Sequence, residues 1–401
     1  MNPNTEQRLQ ANIPKLLFMS FFHMFLAIIP VIVPFWQSHG LEMGDVYLLQ
    51  SIFAISVVVL EVPSGYISDL LGRKNSLLVA GVFSGTAWLI FVNSETIIGF
   101  AAFEIMVSIA VSLISGTDVA LIYDSIQQMR EKKYSESRIL GQKMFYGQVG
   151  ETIASLLGGA LALYSLSLPA QITAVAAWIP FLIALTLYEP PRQKMHSHQH
   201  RENFRYIYRS LFKHSRLLTL IIANLVVYGV ATLLVVWAYQ GFWKEIGTPL
   251  YFFGYLWAGY NLSVALVGKM AHQWEKRLGA PAIILMIGIF PVLGYLGMGF
   301  FASWIGILCG LLFQICRGLT GVVLRDALNS RVTGDMRATA NSISSLGVRL
   351  SFAFLGPVLG WLIDHNGYST GFFVMAGVYV FAFLFVSLPL LAQRKHFKPV
   401  S

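Results

Sequence analysis

The stretch GYISDLLGRK, residues 65–74, stands between two long apolar runs of the chain. Gly65 lets a neighbouring helix approach closely, and Asp69 can accept hydrogen bonds from the N-terminus of a neighbouring helix. Gly72 permits a sharp turn, after which Arg73 meets an aqueous interface. The stretch therefore predicts a compact basic loop that contacts neighbouring helices. The alternative is an ordinary basic inner loop, which has a similar composition.

The composition of the chain around this stretch is that of a membrane protein. Of the 401 residues, 56% are apolar and only 12% are charged, whereas a soluble domain carries about 25% charged residues. The apolar excess extends along the whole chain, which excludes a disordered, fibrous or ordinary cytosolic protein. In a soluble protein the net charge of +9 would suggest nucleic acid. In a membrane protein it indicates cytoplasmic loops, and we expect no nucleic-acid partner.

We predict an all-α membrane protein with twelve transmembrane helices, because twelve stretches approach the length of about 20 apolar residues that a span needs. The polar N-terminus lacks the pattern of a cleaved signal, so the first span is expected to remain a helix. The predicted spans are residues 13–36, 45–68, 75–93, 97–126, 138–164, 168–188, 216–240, 248–272, 279–300, 303–329, 338–364 and 369–392.

The basic residues predict the orientation of these spans. With both termini in the cytoplasm, nearly all of the 28 Lys and Arg residues, Lys143 among them, fall in cytoplasmic segments, while the outer loops carry acidic residues. The positive-inside rule predicts this asymmetry. We therefore expect a multi-pass, monomeric protein of a bacterial inner membrane, with the lipid bilayer around it.

The two halves of the chain resemble each other at an offset of 202 or 203 residues. This repeat predicts two six-helix bundles, residues 1–188 and 216–401, with a substrate path between them and a cytoplasmic linker at 189–215. The linker suits an anionic lipid surface, and its alternating histidines either bind a metal or are merely solvated. The matched pairs are Gly65 with Gly268, Gly116 with Gly318, Asp124 with Asp326, and Gly158 with Gly360, and the histidines are His196, His198 and His200.

With twelve spans and a half-chain repeat, residues 65–74 match the signature G-x-x-x-D-x-x-G-R-K, and the whole chain resembles the major facilitator superfamily. The resemblance implies a conformational latch in this loop, built around Gly65 and Gly72. In it, Asp69 and Arg73 pair with each other and with an acid at the cytoplasmic end of the fourth helix, where Asp124 stands. These residues gate transport and do not touch substrate.

A second family pattern, typical of proton-exchanging exporters, lies in the fifth span. Its small residues are present, but Ala154-Ser155 replaces a Gly-Pro pair. The resemblance favours a drug or metabolite efflux subgroup. The proton-linked arginine of the family is replaced by Ser112, so that role is not transferred to this chain. The small residues are Gly141, Gly150, Gly158 and Gly159.

Carboxylates inside spans are the candidates for proton coupling, because a charge there is costly and usually functional. Glu61 and Glu151 lie near the predicted midplane, Glu104 lies nearer the outside and Asp118 nearer the cytoplasm. A carboxylate that alternately meets two aqueous compartments can load and release a proton. The alternative is a hydrogen bond or ion pair that only joins helices.

Basic and aromatic side chains within the C-terminal spans are the candidates for substrate binding. Arg317 and Arg349 either grip an anionic or zwitterionic substrate or neutralise acids, and a pair between Arg349 and Glu61 suggests a gate. A set of four aromatic and amide side chains either lines a cavity or packs between helices. His23 either relays a proton or bonds a backbone group. The members of that set are Tyr228, Trp257, Tyr260 and Asn261.

The sequence contains no nucleophile elbow, phosphate loop or HExxH motif, so we expect no enzyme, cofactor or metal. The favoured hypothesis is a secondary active transporter that works by alternating access. It exports a small amphiphilic molecule, such as a drug or a secreted metabolite including a siderophore, and uses the proton gradient. The alternatives are an importer of an organic anion or nutrient, and a non-transporting receptor or lipid scramblase on the same fold.

Overall fold

A computed structural model describes residues 3–129, 135–190, 215–332, 336–394 and 397, and the regular elements of these residues are helices. In the first half these are α1 (Pro3–His23), α2 (Ile32–Ser38), α3 (Met43–Leu71), α4 (Arg73–Val92), α5 (Ile97–Ile114), α6 (Thr117–Gln128), α7 (Glu136–Leu161), α8 (Ser167–Ala176) and α9 (Ile179–Leu185). In the second half they are α10 (Arg216–Glu245), α11 (Leu250–Leu278), α12 (Ala280–Phe300), α13 (Trp304–Leu319), α14 (Arg325–Asn329), α15 (Arg337–Ala382) and α16 (Leu388–Ala392). A 3₁₀ turn at Ile29–Val31 and π-helical turns at Thr320–Leu324 and Phe383–Ser387 connect some of them.

Nine helical segments of the described residues are long and apolar enough to cross a membrane. One of them, Thr339–Ala392, is 54 residues long and holds the last two predicted spans, since Gly367 interrupts its helical geometry. The first and fifth predicted spans are also present, as the broken pair α1 and α2 and as α7. The helices thus agree with the all-α fold of about twelve spans.

Two spans of the first half are broken in the middle. In the first span, α1 ends at His23, and the helix resumes in the 3₁₀ turn at Ile29, next to Pro30. In the fourth span, α5 ends at Ile114 and α6 begins at Thr117. Gly116, which precedes α6, has a φ of 80°, a left-handed conformation that favours glycine. Each break leaves helix ends inside a span, where backbone groups and side chains can meet a ligand.

The chain packs into two compact units. Unit 1 comprises Met1–Leu41, Ile52–His196 and Pro249–Ala258, and unit 2 comprises Glu42–Ser51, Ser197–Thr248 and Gly259–Ser401. Helix α3 therefore begins in unit 2, and α11 begins in unit 1. Each unit thus includes a short segment from the other half of the sequence.

Unit 1 is held together by an apolar core and by one buried amide. The Asn12 side chain donates to the carbonyl oxygen of Tyr188 at 2.8 Å and to the hydroxyl of Ser125 at 3.1 Å, and it accepts the Tyr188 N–H at 2.9 Å. This amide joins α1, α6 and the segment after α9. The core around it includes Leu9, Leu16, Leu77, Leu121 and Ile122.

Unit 2 has an aromatic core. The ring of Tyr295 in α12 stacks on Tyr379 with centroids 5.6 Å apart and meets the edge of Phe313 at 4.6 Å. All three side chains are almost completely buried. Such ring pairs add to the apolar stabilisation that fixes α12, α13 and α15 against one another.

The structure corrects one anchor of the sequence repeat. Gly72 and Gly279 occupy the same place, immediately before α4 and α12, and their φ angles are 97° and 83°. The pairing of Gly65 with Gly268 is displaced by about one helical turn from this match. Helices α3 and α11 are both 29 residues long, so the match at Gly72 and Gly279 extends back along the whole of both helices.

Candidate functional site

A cavity of about 230 Å³ lies in unit 1 at the breaks in the first and fourth spans. Its lining combines sulfur-containing and aliphatic side chains with one acid, one base and neutral polar groups. Broken helices with polar side chains at their ends are the usual setting of a transporter binding site. The lining residues are Met19, Ser20, His23, Met24, Ile114, Asp118, Lys143, Met144, Gly147 and Gln148.

An ion pair between Asp118 and Lys143 forms the polar wall of this cavity. The Lys143 Nζ lies 2.8 Å from Asp118 Oδ2, and the side chains are 25% and 9% exposed. Asp118 stands in the first turn of α6, and its Oδ1 accepts the N–H of Val119 at 2.6 Å. Because both charges are largely removed from water, each depends on the other for compensation. Asp118, predicted as a proton-coupling candidate, is thus paired with a cation.

The sequence analysis missed Lys143 as a site residue, since it assigned this lysine to a cytoplasmic segment. The structure places it in the second turn of α7 and in the cavity wall. A signal was available, because Lys143, Met144, Gly147, Gln148 and Glu151 recur at the spacing of one helix face.

The structure brings together two residues that the sequence predicted separately, Glu151 and Trp257. Trp257 Nε1 donates to Glu151 Oε1 at 3.2 Å, and Gln148 Nε2 lies 3.3 Å from Glu151 Oε2. Both partners of the Glu151 carboxylate in these bonds are neutral N–H donors. Gln148 also lines the cavity, so it connects the cavity wall to this carboxylate.

Close contact between two glycines allows the hydrogen bond from Trp257 to Glu151 to form. A Cβ atom on Gly159 of α7 would lie 3.0 Å from the Cα of Gly254 in α11. In α11, Trp257 lies about one helical turn after Gly254. In α7, Glu151 lies about two turns before Gly159. The absence of side chains at the two glycines therefore lets the helices approach closely enough for the indole to reach the carboxylate.

The latch residues lie in contact, as the motif predicts. Arg73 Nη1 lies 3.0 Å from Asp69 Oδ1, and Arg73 Nε lies 3.7 Å from Asp124 Oδ2. Gly72 takes the left-handed conformation that the turn requires. A Cβ on Gly65 would meet nothing within 4 Å among the described residues beyond its chain neighbours and its own helix backbone. The close helix contact expected at Gly65 and gating by the latch stay predictions.

Glu189 is a further residue of the latch region that the sequence analysis assigned to the linker. Its carboxylate accepts the backbone N–H of Arg73 at 2.9 Å and of Lys74 at 2.6 Å. These amides belong to the first turn of α4, where a negative charge is favourable. Local sequence carries no signal for this contact, because the partners are 116 and 115 residues apart.

The other charged candidates occupy different positions. Glu104 is buried at 3% exposure and Glu61 is half-buried, both in unit 1. In unit 2, Arg317 is exposed and Arg349 is half-buried. Because Glu61 and Arg349 belong to different units, the gate between them stays a prediction, as does the grip of the arginines on a substrate.

Two of the aromatic candidates make contacts that favour the packing alternative. The Tyr228 hydroxyl lies 2.6 Å from the Ser387 hydroxyl, which donates to Asn224 Oδ1 at 2.8 Å. Tyr260 donates to the carbonyl oxygen of Ile307 at 2.6 Å. Both rings are buried in unit 2.

The remaining candidates are more accessible or lie outside the structure. His23 is located in the cavity of unit 1, while Asn261 is half-buried in unit 2. Most of the linker, with the three histidines His196, His198 and His200, lies outside the described residues. In the part of the chain that the structure describes, no group of three or more His, Cys, Asp or Glu side chains is arranged to hold a metal.

Comparison with known proteins gives one family and one fold. No curated protein matches the chain in sequence. Among solved structures, the nucleoside transporter NupG is 14% identical with a TM-score of 0.75, and the match covers 99% of this chain and 100% of that chain. A bacterial homologue of the human lysosomal transporter Spinster is 14% identical with a TM-score of 0.72, covering 98% of each chain. A D-xylose–proton symporter is 16% identical with a TM-score of 0.66, covering 97% of this chain and 99% of that chain.

At such identities these likenesses show the fold alone. The family itself is shown by a sequence model described as Major Facilitator Superfamily, which matches residues 16–334, well over half of the chain. The chain therefore belongs to the Major Facilitator Superfamily.

Proposed function

We propose that the chain is a secondary active transporter that exports a small amphiphilic molecule, such as a drug or a secreted metabolite including a siderophore, in exchange for protons. Family membership makes it a multi-pass membrane transporter and not an enzyme. Export, proton exchange, alternating access and residence in a bacterial inner membrane as a monomer are parts of the proposal. No cofactor takes part, since the proton gradient supplies the energy.

The Glu151 carboxylate is the observation that carries the proposal. It is half-buried within a span and receives hydrogen bonds from the neutral N–H groups of Trp257 and Gln148. A charged side chain inside a span is costly and usually functional, so we assign the proton to this carboxylate. A carboxylate that accepts a proton becomes a donor at one oxygen and can no longer accept both bonds equally.

This change links the proton to the cavity. Gln148 contacts Glu151 and also lines the cavity, so a substrate that reorients Gln148 changes the bonding of the carboxylate. Conversely, protonation of Glu151 weakens the bond that the protonated oxygen accepts from Gln148 or Trp257. Binding sites that share one group in this way influence each other's affinity reciprocally, which is the requirement for coupled transport.

Exchange and symport are distinguished by the direction of proton flow. We would reconstitute the purified chain in proteoliposomes with a pH dye in the lumen and apply a panel of amphiphilic drugs, with ethidium as the fluorescent reporter. An exporter moves protons opposite to the solute, whereas a symporter moves both in the same direction. Symport would contradict the exchange mechanism.

Glu151→Gln tests the proton carrier in the same vesicles. We expect this variant to bind the drug but to lose proton-driven accumulation, because the amide does not titrate. Glu136→Gln is the matched control, since Glu136 lies in the first turn of the same helix and outside the cavity lining. Proton-driven transport that survives Glu151→Gln would remove Glu151 from the mechanism.

A second candidate function is the import of an organic anion. The exposed residue Arg317 favours it, because an arginine within a predicted span is costly unless it faces water or an anion. In the vesicle assay an importer would take up an organic anion together with protons, and Arg317→Ala would abolish that uptake.

A further inference from the structure

We propose that the substrate carries both an ammonium and a carboxylate group and binds in the cavity of unit 1 by opening the ion pair between Asp118 and Lys143. The inference rests on the proposed transport function and narrows its substrate class to amphiphiles of amino-acid size, smaller than the drugs and siderophores named there. The ammonium replaces Lys143 at Asp118, and the carboxylate pairs with the released Lys143. The chemical class is a zwitterion of amino-acid size with an apolar side chain.

The position of the pair makes it a binding element. Both charged side chains line the cavity, so a ligand inside it meets Asp118 and Lys143 directly. Asp118 stands at the start of α6, which follows the break at Gly116. His23 ends α1 at the other break and lines the same cavity. The pair therefore lies where two interrupted spans meet, and a salt bridge needed only to join α6 to α7 would not require a cavity beside it.

Charge balance selects the zwitterion. A ligand with a single positive charge can pair with Asp118 but leaves Lys143 without its partner in a largely buried site, and a single negative charge leaves Asp118 in the same condition. Removing one partner of a buried pair is strongly unfavourable, because the other charge is left uncompensated. A zwitterion supplies a new partner to each charge, so the exchange leaves neither uncompensated.

The rest of the wall fits an apolar side chain of modest size. Met19, Met24 and Met144 place flexible thioethers around the pair, and such side chains adapt to different apolar shapes. The volume of about 230 Å³ is below the range of about 300–1,000 Å³ that drug-sized ligands need. The cavity therefore accommodates an amino-acid-sized head, and Ser20 and Gln148 add neutral hydrogen-bonding groups.

A matched series of small ligands tests the charge requirement on the purified full-length chain. L-phenylalanine carries both charges, phenethylamine carries only the ammonium, and 3-phenylpropanoate carries only the carboxylate. L-methionine and L-leucine extend the series of zwitterions. We expect at least one of the zwitterions to bind at least tenfold more tightly than either singly charged compound, in calorimetry and in thermal stabilisation. Equal binding of a singly charged compound, or no binding of any of the three zwitterions, overturns the proposal.

Substitutions of the pair give a signature that a merely structural salt bridge would not. In Asp118→Asn, Lys143 is released, so affinity for 3-phenylpropanoate rises and affinity for phenethylamine falls. In Lys143→Gln the two changes are reversed. The double variant removes both charges, so it folds without an uncompensated charge and binds all three phenyl compounds within about threefold of one another. Lys276→Gln, at the exposed end of α11, is the matched control and keeps the zwitterion preference. Parallel weakening of all ligands in both single variants would overturn the proposal.

Proton flux in vesicles separates this proposal from the transport function. If singly charged amphiphiles drive proton exchange and the zwitterions do not, the substrate class is wrong and the transport function stands. If the zwitterions bind with the expected variant pattern but no solute moves with protons, the binding site stands and the transport function is wrong.

Discussion

At the scale of one residue, Arg73 connects the side chains of the latch. Its guanidinium meets Asp69 and Asp124 and donates to the Ser68 hydroxyl at 3.0 Å. Asp69 is 53% exposed, so its own pair with Arg73 contributes only about 0–1 kcal/mol. Arg73 is 20% exposed and serves several acceptors, so its removal affects more of the structure.

We expect Arg73→Ala to lower the free energy of unfolding by about 1.5–3 kcal/mol, the range for hydrogen bonds to charged groups. Asp69→Asn is the matched variant and should lower it by less than about 1 kcal/mol. If the latch gates transport, both variants should slow transport more than their stability losses explain. Denaturant unfolding and vesicle flux measure the two quantities. Equal destabilisation by both variants would contradict the central place of Arg73.

Tyr228 separates a packing role from a binding role. In Tyr228→Phe the Ser387 oxygen loses its bond to the phenol while the ring remains, so we expect the free energy of unfolding to fall by about 1–3 kcal/mol. Substrate affinity should remain unchanged, because the hydroxyl is bonded inside unit 2. Ligand calorimetry and thermal unfolding test this. A loss of affinity without a loss of stability would restore Tyr228 as a substrate-binding residue.

Glu189 acts at the scale of an element, because it stabilises the N-terminus of α4. Its two oxygens accept the first N–H groups of a helix that begins directly after the turn at Gly72. In Glu189→Gln one oxygen and the negative charge are lost, so we expect a stability loss of about 0.5–2 kcal/mol. Amide hydrogen exchange should accelerate at Arg73 and Lys74. Tyr188→Phe, one residue earlier, should leave this exchange unchanged.

The helices and the contact of Asp69 with Arg73 could be predicted from sequence because they depend on local patterns. Apolar length defines the spans, and Asp69 and Arg73 lie only four residues apart, on either side of the turn at Gly72. The cavity could not be predicted, because Asp118 and Lys143 meet only when α6 packs on α7. The positive-inside rule assigned Lys143 to a cytoplasmic segment and gave no sign of its ion pair, since the rule counts charges without knowing which one finds a partner. Glu189 was missed for the same reason, as its contact spans more than a quarter of the chain.

At the scale of the whole molecule, each compact unit includes a short segment from the other half of the sequence. The segment Pro249–Ala258 belongs to unit 1, and it carries Trp257 to Glu151. The proposed proton site is therefore completed by residues from both halves of the sequence. In the proposed mechanism, protonation of Glu151 therefore changes a contact between residues that come from the two halves of the sequence.

The orientation of the molecule is testable with cysteine labelling, because the chain has two cysteines, Cys309 and Cys316, and both are free. In a Cys309→Ser, Cys316→Ala background, Glu95→Cys places a thiol on a predicted outer loop and Lys276→Cys on a predicted cytoplasmic one. Both positions are exposed. In intact cells we expect a membrane-impermeant maleimide to label only the first, because the positive-inside rule places the basic loops in the cytoplasm. Both thiols should react in solubilised protein, which controls for reactivity. Labelling of Lys276→Cys alone in intact cells would reverse the predicted orientation and, with it, the direction assigned to export.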